Sequence, residues 1–246
     1  DMILKTEAVV LKRLDFRETS RIVTFFTKDY GKLKGLLKGI RNDHKKFGSS
    51  IDHFSRNDIV YYPSRHSELH LVSQCDLLTG FPDIRTDIKK MMAAEYALEL
   101  VDAIMPLEQE NHDIYGLLVD YLSSLETVKD FLKLLCFFQI KILLHSGFRP
   151  HLDSCLLCGQ EIHRKARFSL QSGGLICLRC KLKDTDVSLV APGTVASILY
   201  VERNPWGLCL QLGLTERIKR QLMFVLNNFL VFHLEKEIKM MKYLEY

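Results

Sequence analysis

Four of the seven cysteines fall into two Cys-x-x-Cys pairs, Cys155 with Cys158 and Cys177 with Cys180, separated by eighteen residues. A Cys-x-x-Cys turn sets two thiolates on one side of a metal, and a second such turn completes a tetrahedral shell. The intervening length is that of a zinc ribbon. Four protein thiolates leave no open coordination position, so the expected cofactor is a structural zinc. Gly159 follows the first turn, and Gly173 and Gly174 precede the second, where tight backbone bends are needed. Two disulfides are the alternative, but an odd cysteine count and a start without a basic, apolar and small-residue leader suit them poorly. A redox pair is a further alternative, although neither pair opens a helix after a strand. Cys75, Cys136 and Cys209 sit in apolar runs and read as small core residues. His151 and His163 are spare ligands that a four-cysteine site does not need.

A second chemistry lies near the start. Between Lys28 and Lys46 there are seven bases (Lys28, Lys32, Lys34, Lys38, Arg41, Lys45, Lys46) against the acids Asp29 and Asp43, whereas residues 83–150 carry eleven acids against seven bases. The net charge is only +4, so this segregation is what points the N-terminal part towards a polyanion. Lysine and arginine bind phosphates by displacing counterions, and aromatic rings stack on bases. The candidate DNA contacts are Lys32, Lys34, Lys38, Arg41, Lys45 and Lys46, extended by Arg13, Arg17 and Arg21. A solvated basic loop is the plain alternative. Of the neighbouring rings Phe25/Phe26 and Tyr61/Tyr62, one of each pair should face the core.

The elements that must position these residues change character along the chain. The first 80 residues read as five short strands: "ILKTEAVVLKR"; "RIVTFFTKD" and "GKLKGLLKGI" around a "DYG" turn; "NDIVYYPS" and "ELHLVSQCDLL" around "PSRHS". Alternation places Lys32 and Lys34 on one face of the third strand and Leu33 on the other, with a bulge expected near Gly35 where Leu36 and Leu37 break the pattern. Five strands with a long basic connection between the third and fourth suit a small closed barrel, of OB or SH3-like type. After Pro82 the period becomes helical. "TDIKKMMAAEYALELVDAIM" has a cap at Thr86 or Asp87, "HDIYGLLVDYLSSLE" follows, and "VKDFLKLLCFFQIKILLHSGFRP" ends at Gly147 as a buried central helix. "GTVASILYVE" and "TERIKRQLMFVLNNFLVFHLEKEIK" supply the remaining helices. No apolar run approaches the ~20 residues that span a bilayer. Asp1 precedes Met2, so Met2 is read as the natural start, and the expected compartment is the cytoplasm.

Together, "FLKLLCFFQIKILLHSGFRPHLDSCLLCG", "FSLQSGGLICLRC" and "ETSRIVTFFTKDYGKLKGLLKGIRN" resemble the bacterial RecO family of recombination mediators, in the same order and over essentially the whole chain. The resemblance implies an α+β multidomain protein. An N-terminal five-stranded OB-fold β-barrel (1–80) precedes an all-helical domain (81–246) with an inserted four-cysteine zinc-binding segment (151–185). It implies binding of single- and double-stranded DNA and annealing of complementary strands. It also implies cooperation with RecR and single-stranded-DNA-binding protein in loading RecA, in a cytoplasmic, nucleoid-associated setting without membrane attachment. The C-terminal tail of single-stranded-DNA-binding protein would dock on the helical domain, where Lys133, Lys141, Arg217 and Arg220 are candidate rim residues. No catalytic residues are expected. The competing readings are a zinc-ribbon scaffold without annealing activity and a metal-dependent nuclease using His66 and His70. No phosphate-loop, nucleophile-elbow or His-Glu-x-x-His motif accompanies those histidines.

Overall fold

A computed structural model describes residues 2–40, 47, 51–181, 187–234 and 238–244. Five strands, β1 (Leu4–Phe16), β2 (Ser20–Thr27), β3 (Gly31–Leu37), β4 (Arg56–Tyr62) and β5 (Leu69–Thr79), close in the order β1-β2-β3-β5-β4. All neighbours are antiparallel except β3 and β5, which run parallel through Lys34↔Leu69 and Leu36↔Leu71. That order and that single parallel pair are the OB arrangement, so the choice between barrel types is decided.

Strand alternation builds the core. Along β3 the even positions Lys32, Lys34 and Leu36 are half-exposed, and Gly31, Leu33, Gly35 and Leu37 are buried. Leu33 and Leu37 join Val10, Val23, Phe25, Ile59 and Val72 inside. The expected bulge at Gly35 is absent, because β2 and β3 pair without a shift from Arg21↔Leu37 to Thr27↔Gly31. Gly35 serves packing instead: a Cβ there would lie 2.6 Å from Val72 Cγ2 and 3.0 Å from Phe25 Cε2. The ladder shifts lie in β1 between Val10 and Lys12, and between β4 and β5.

Two helices follow, α1 (Ile88–Ile104) and α2 (His112–Thr127). Asp87 caps α1 by accepting the Lys89 amide at 2.8 Å, and Asn111 caps α2 through Ile114. They group with the barrel: Asp1–Lys129 with Lys242–Tyr246 form one compact unit, and Asp130–Met241 the other. Phe25 and Phe26 are therefore both buried. Phe25 fills the barrel, and Phe26, on the opposite pleat, lies 6.2 Å from the Tyr115 ring of α2.

The second unit is built on α3 (Phe131–His145), in which every residue from Leu134 to Leu143 is buried. It packs against α4 (Pro192–Arg203) and α5 (Glu216–Leu234). Gly147, at φ 82°, ends α3 as the sequence predicts. Between α3 and α4 lies an antiparallel sheet that the sequence reading did not include: β6 (Ala166–Ser169), β7 (Gly174–Ile176) and β8 (Val187–Val190), in the order β7-β6-β8. Among the described residues no helix is long and apolar enough to cross a membrane.

Candidate metal centre and nucleic-acid interface

The β6–β7 hairpin carries the second cysteine turn, and its Gly173–Gly174 bend receives the first. His151 donates its amide to Gly173 and accepts that of Leu175, both at 2.9 Å, and Leu156 donates to the Leu175 carbonyl. A Cβ on Gly174 would stand 2.4 Å from the His151 carbonyl oxygen, so only glycine permits this approach. The two turns are thus brought face to face.

The sulfurs of Cys155, Cys158, Cys177 and Cys180 all lie within 4.8 Å of one another. Cys155–Cys180 and Cys158–Cys177 are 3.9 Å apart, and Cys177–Cys180 3.6 Å. A tetrahedral zinc with Zn–S bonds of about 2.3 Å requires sulfurs about 3.8 Å apart. The group therefore fits zinc, and all seven cysteines are free thiols rather than disulfides. Burial opposes ionisation of Cys155, but the amides of Cys177, Cys158 and Leu157 outweigh it and lower the thiol to about 6. Cys180, hydrogen-bonded by its sulfur neighbours Cys177 and Cys158, is pushed up to about 12. Four crowded sulfurs cannot all be anionic unless a cation joins them. Arg167 of β6, not anticipated from sequence, donates through Nη2 to the carbonyls of Cys177 (2.8 Å) and Cys180 (2.6 Å), tying both ends of the second turn to a positive charge. The signal available was a lone basic residue in the apolar stretch ahead of the second cysteine pair.

On the barrel the predicted basic residues part company. Lys32 bonds the Asp102 carbonyl (2.6 Å) and carboxylate (3.1 Å) of α1, so its charge is spent inside the unit. Lys34 pairs at 2.9 Å with Glu68 of the β4–β5 loop. Lys38 is exposed and has no ion pair among the described residues. Arg13 and Arg21 belong to the other pleat, near the β1–β2 turn, and pair with Asp52 (3.2 Å) and Asp15 (2.9 Å). Arg17 lies 5.2 Å over the Phe16 ring. Arg41, Lys45 and Lys46 lie outside the described residues.

Lys38 lines a groove of about 660 Å³ with Leu36, Tyr62, Arg65 and His66. Arg65, like Lys38, has no ion pair among the described residues and was missed in the sequence, where it stands alone in "PSRHS". It is the parallel β3–β5 pairing that carries the β4–β5 loop to Lys38. Tyr62, half-buried, is the ring on the groove, while Tyr61 is buried. His70 does not join His66: its Nδ1 accepts the Ser64 amide at 3.1 Å and its Nε2 lies 3.1 Å from Glu108. Among the described residues the four cysteines are the only group converging tightly enough for a metal ion.

In the second unit Lys133 and Lys141 are not free. Lys133 Nζ donates to the Leu210 carbonyl at 3.0 Å, and buried Lys141 donates to those of Glu202 (3.2 Å) and Asn204 (2.7 Å). Arg217 and Arg220 are exposed on α5, on the helix face that also exposes Phe224.

An OB barrel with a basic, aromatic-walled groove, followed by helices and a four-cysteine cluster on a β-hairpin, belongs to a class of architecture in which nucleic-acid binding is common. Comparison with known proteins narrows the class. The family described as "Recombination protein O N terminal" matches residues 2–81, and "Recombination protein O C terminal" matches residues 85–242. The chain belongs to the RecO family. It is 30% identical to the DNA repair protein RecO of Syntrophus aciditrophicus over 98% of this chain and 95% of that one. It is 34% identical to the protein of the same name from Exiguobacterium sibiricum over 81% and 79%. For that of Desulforamulus reducens the identity is 29% over 99% and 94%. Membership supports a role in DNA repair and recombination.

Proposed function

We propose that this chain is a DNA-binding recombination mediator that anneals complementary strands and, with RecR and single-stranded-DNA-binding protein, promotes RecA loading. The observation that carries the reading is the pair of uncommitted cations, Lys38 and Arg65, on a groove walled by the Tyr62 ring. Phosphates meet the cations, a base stacks on the ring, and Watson–Crick edges stay open to a second strand. Lys34 adds a charge once a phosphate displaces Glu68, and Arg41, Lys45 and Lys46, which follow Lys38 in the sequence, are further candidate phosphate contacts. Zinc at the four cysteines holds the β6–β7 hairpin to the preceding turn and takes no part in a covalent step, and we assign no catalytic residue.

The functional division is drawn at residues 80/81, with the zinc segment spanning 151–185; the meeting of the two family matches between 81 and 85 supports it. For the acidic, apolar tail of single-stranded-DNA-binding protein we favour Arg217 and Arg220 beside Phe224, since Lys133 and Lys141 are engaged internally. The setting is the bacterial cytoplasm at the nucleoid. The nuclease reading loses its motivation because both ring nitrogens of His70 are engaged. A scaffold reading predicts no DNA binding at low salt. Annealing of complementary oligonucleotides, with and without single-stranded-DNA-binding protein, tests the proposal against it.

A further inference from the structure

The two cysteine turns meet at the open end of the β6–β7 hairpin, and they expose side chains there that holding a metal does not require. Leu156 and Leu157 fill the first turn and Leu178 the second, and these leucines are 38%, 57% and 55% exposed. The backbone beneath them is fixed. Cys155 donates its amide to the Gln160 carbonyl at 2.9 Å, Gly159 to that of Cys155 at 2.8 Å, and Leu156 to that of Leu175 at 2.9 Å. The leucines therefore form a projecting apolar tip in a set position, and clustered exposed apolar side chains mark a contact surface.

Cations gather at the same end. Residues 155–181 hold Arg164, Lys165, Arg167, Arg179 and Lys181 against one acid, Glu161, which lies 3.3 Å from His163. Arg167 is turned inward, onto the Cys177 and Cys180 carbonyls. The other four are exposed. Arg179 bonds the uncharged side chain of Gln160, and Arg164, Lys165 and Lys181 make no hydrogen bond or ion pair among the described residues. The β6–β7 ladder ends at Arg167↔Ile176, so Arg164 and Lys165 enter β6 at the end where Cys177 and Leu178 leave β7.

We propose that this tip is a second nucleic-acid surface, separate from the barrel groove, and that it takes duplex DNA. The free cations sit on phosphates while Leu157 and Leu178 enter the minor groove as an apolar wedge. Four cations without acidic partners complement a polyanion, and in a chain of a DNA-repair family DNA is the polyanion at hand. Residues 151–165 and 177–181 contain no Phe, Tyr or Trp on which unpaired bases could stack, so the tip is unlike the Tyr62 groove and poorly suited to single strands. Aliphatic side chains projecting beside cations suit the partial unstacking of a base step, which bends a duplex. On the annealing reading proposed above, the tip holds the product that the barrel groove forms; duplex binding itself does not depend on that reading.

The test uses the full, zinc-loaded chain with a short duplex carrying 2-aminopurine, whose fluorescence rises on unstacking, and with oligo-dT of the same length. The parent should bind the duplex and raise the fluorescence. In Arg164→Ala/Lys165→Ala/Lys181→Ala the slope of log duplex affinity against log salt should flatten by about 2.7, three contacts at about 0.9 each. Leu157→Ala/Leu178→Ala should keep the parent's salt slope and lose the fluorescence rise. Affinity for oligo-dT should stay at the parent's level in both variants, so a failure of the barrel groove is read separately from a failure of the tip. The substituted side chains are exposed and none is a cysteine of the metal site, and unchanged zinc content and melting verify the fold. A folded triple variant with the parent's duplex affinity and salt slope overturns the proposal, as does a fluorescence rise that survives in the leucine variant. Loss of binding to phosphatidylglycerol vesicles in the triple variant, with duplex binding intact, also overturns it and gives the tip to a lipid surface.

Discussion

The Lys32 ammonium is shared by the carbonyl and carboxylate of Asp102, at 2.6 and 3.1 Å, and Lys12 holds the other carboxylate oxygen at 2.5 Å. A strand lysine that alternation places on the outer face is thereby turned into a clamp between β3 and α1. Lys32→Ala should destabilise the barrel unit by about 2 kcal/mol, as for a half-buried charged hydrogen bond. It should change the salt dependence of DNA binding less than Lys38→Ala does. Chemical denaturation and salt titration of both variants check this.

The same pairing sets a pH dependence. Burial opposes ionisation of Asp102, but the Lys12 hydrogen bond and the nearby Lys32 charge outweigh it and hold the carboxyl below its usual value of 3.8. A depressed carboxylate contributes stability that is fully present above the unfolded value and is lost as pH falls through the folded one. The stability gap between the parent and Asp102→Asn should be constant from pH 7 to about 5 and should close below about pH 4. A gap that widens on acidification would contradict the pairing.

One zinc per chain is expected at Cys155, Cys158, Cys177 and Cys180. Cys177→Ser should lose the metal and destabilise the second unit, because metal binding is coupled to folding. Single-strand DNA affinity, which on the proposed reading rests on the barrel, should change much less. Metal analysis, melting and DNA titration of one preparation separate these effects.

Arg167→Met should speed zinc loss to a chelator by about tenfold, the usual scale for groups that orient metal ligands. Arg167→Lys, keeping the charge but not the two-carbonyl fork, should fall between. Equal rates in all three proteins would reduce Arg167 to a packing residue.

Much of this molecule could be read from its residues, because local chemistry decides those parts. The cysteine spacing implies its own tetrahedron, and period-two alternation separates Leu33 from Lys32 and Lys34. Asp87 and Gly147 mark helix ends by side-chain capping and by a positive φ. What stayed hidden depends on partners distant in sequence. Nothing in "GKLKG" shows that α1 will place Asp102 over Lys32 while leaving Lys38 uncovered. Arg65 gains meaning only when the parallel β3–β5 pairing brings its loop to Lys38. Gly35 looks like a bulge until Val72 and Phe25 are seen to need its missing side chain.

The central claim is that the Lys38–Arg65–Tyr62 groove holds DNA for annealing, and the most direct test is the annealing rate of labelled complementary oligonucleotides with the parent chain and with Lys38→Ala/Arg65→Ala/Tyr62→Ala. The account predicts that the triple variant melts like the parent and keeps its zinc. Its annealing should fall sharply, and its slope of log affinity against log salt should flatten by about 1.4–1.8, the loss of two phosphate contacts. A folded, zinc-loaded triple variant with the parent's annealing rate and salt slope would contradict it.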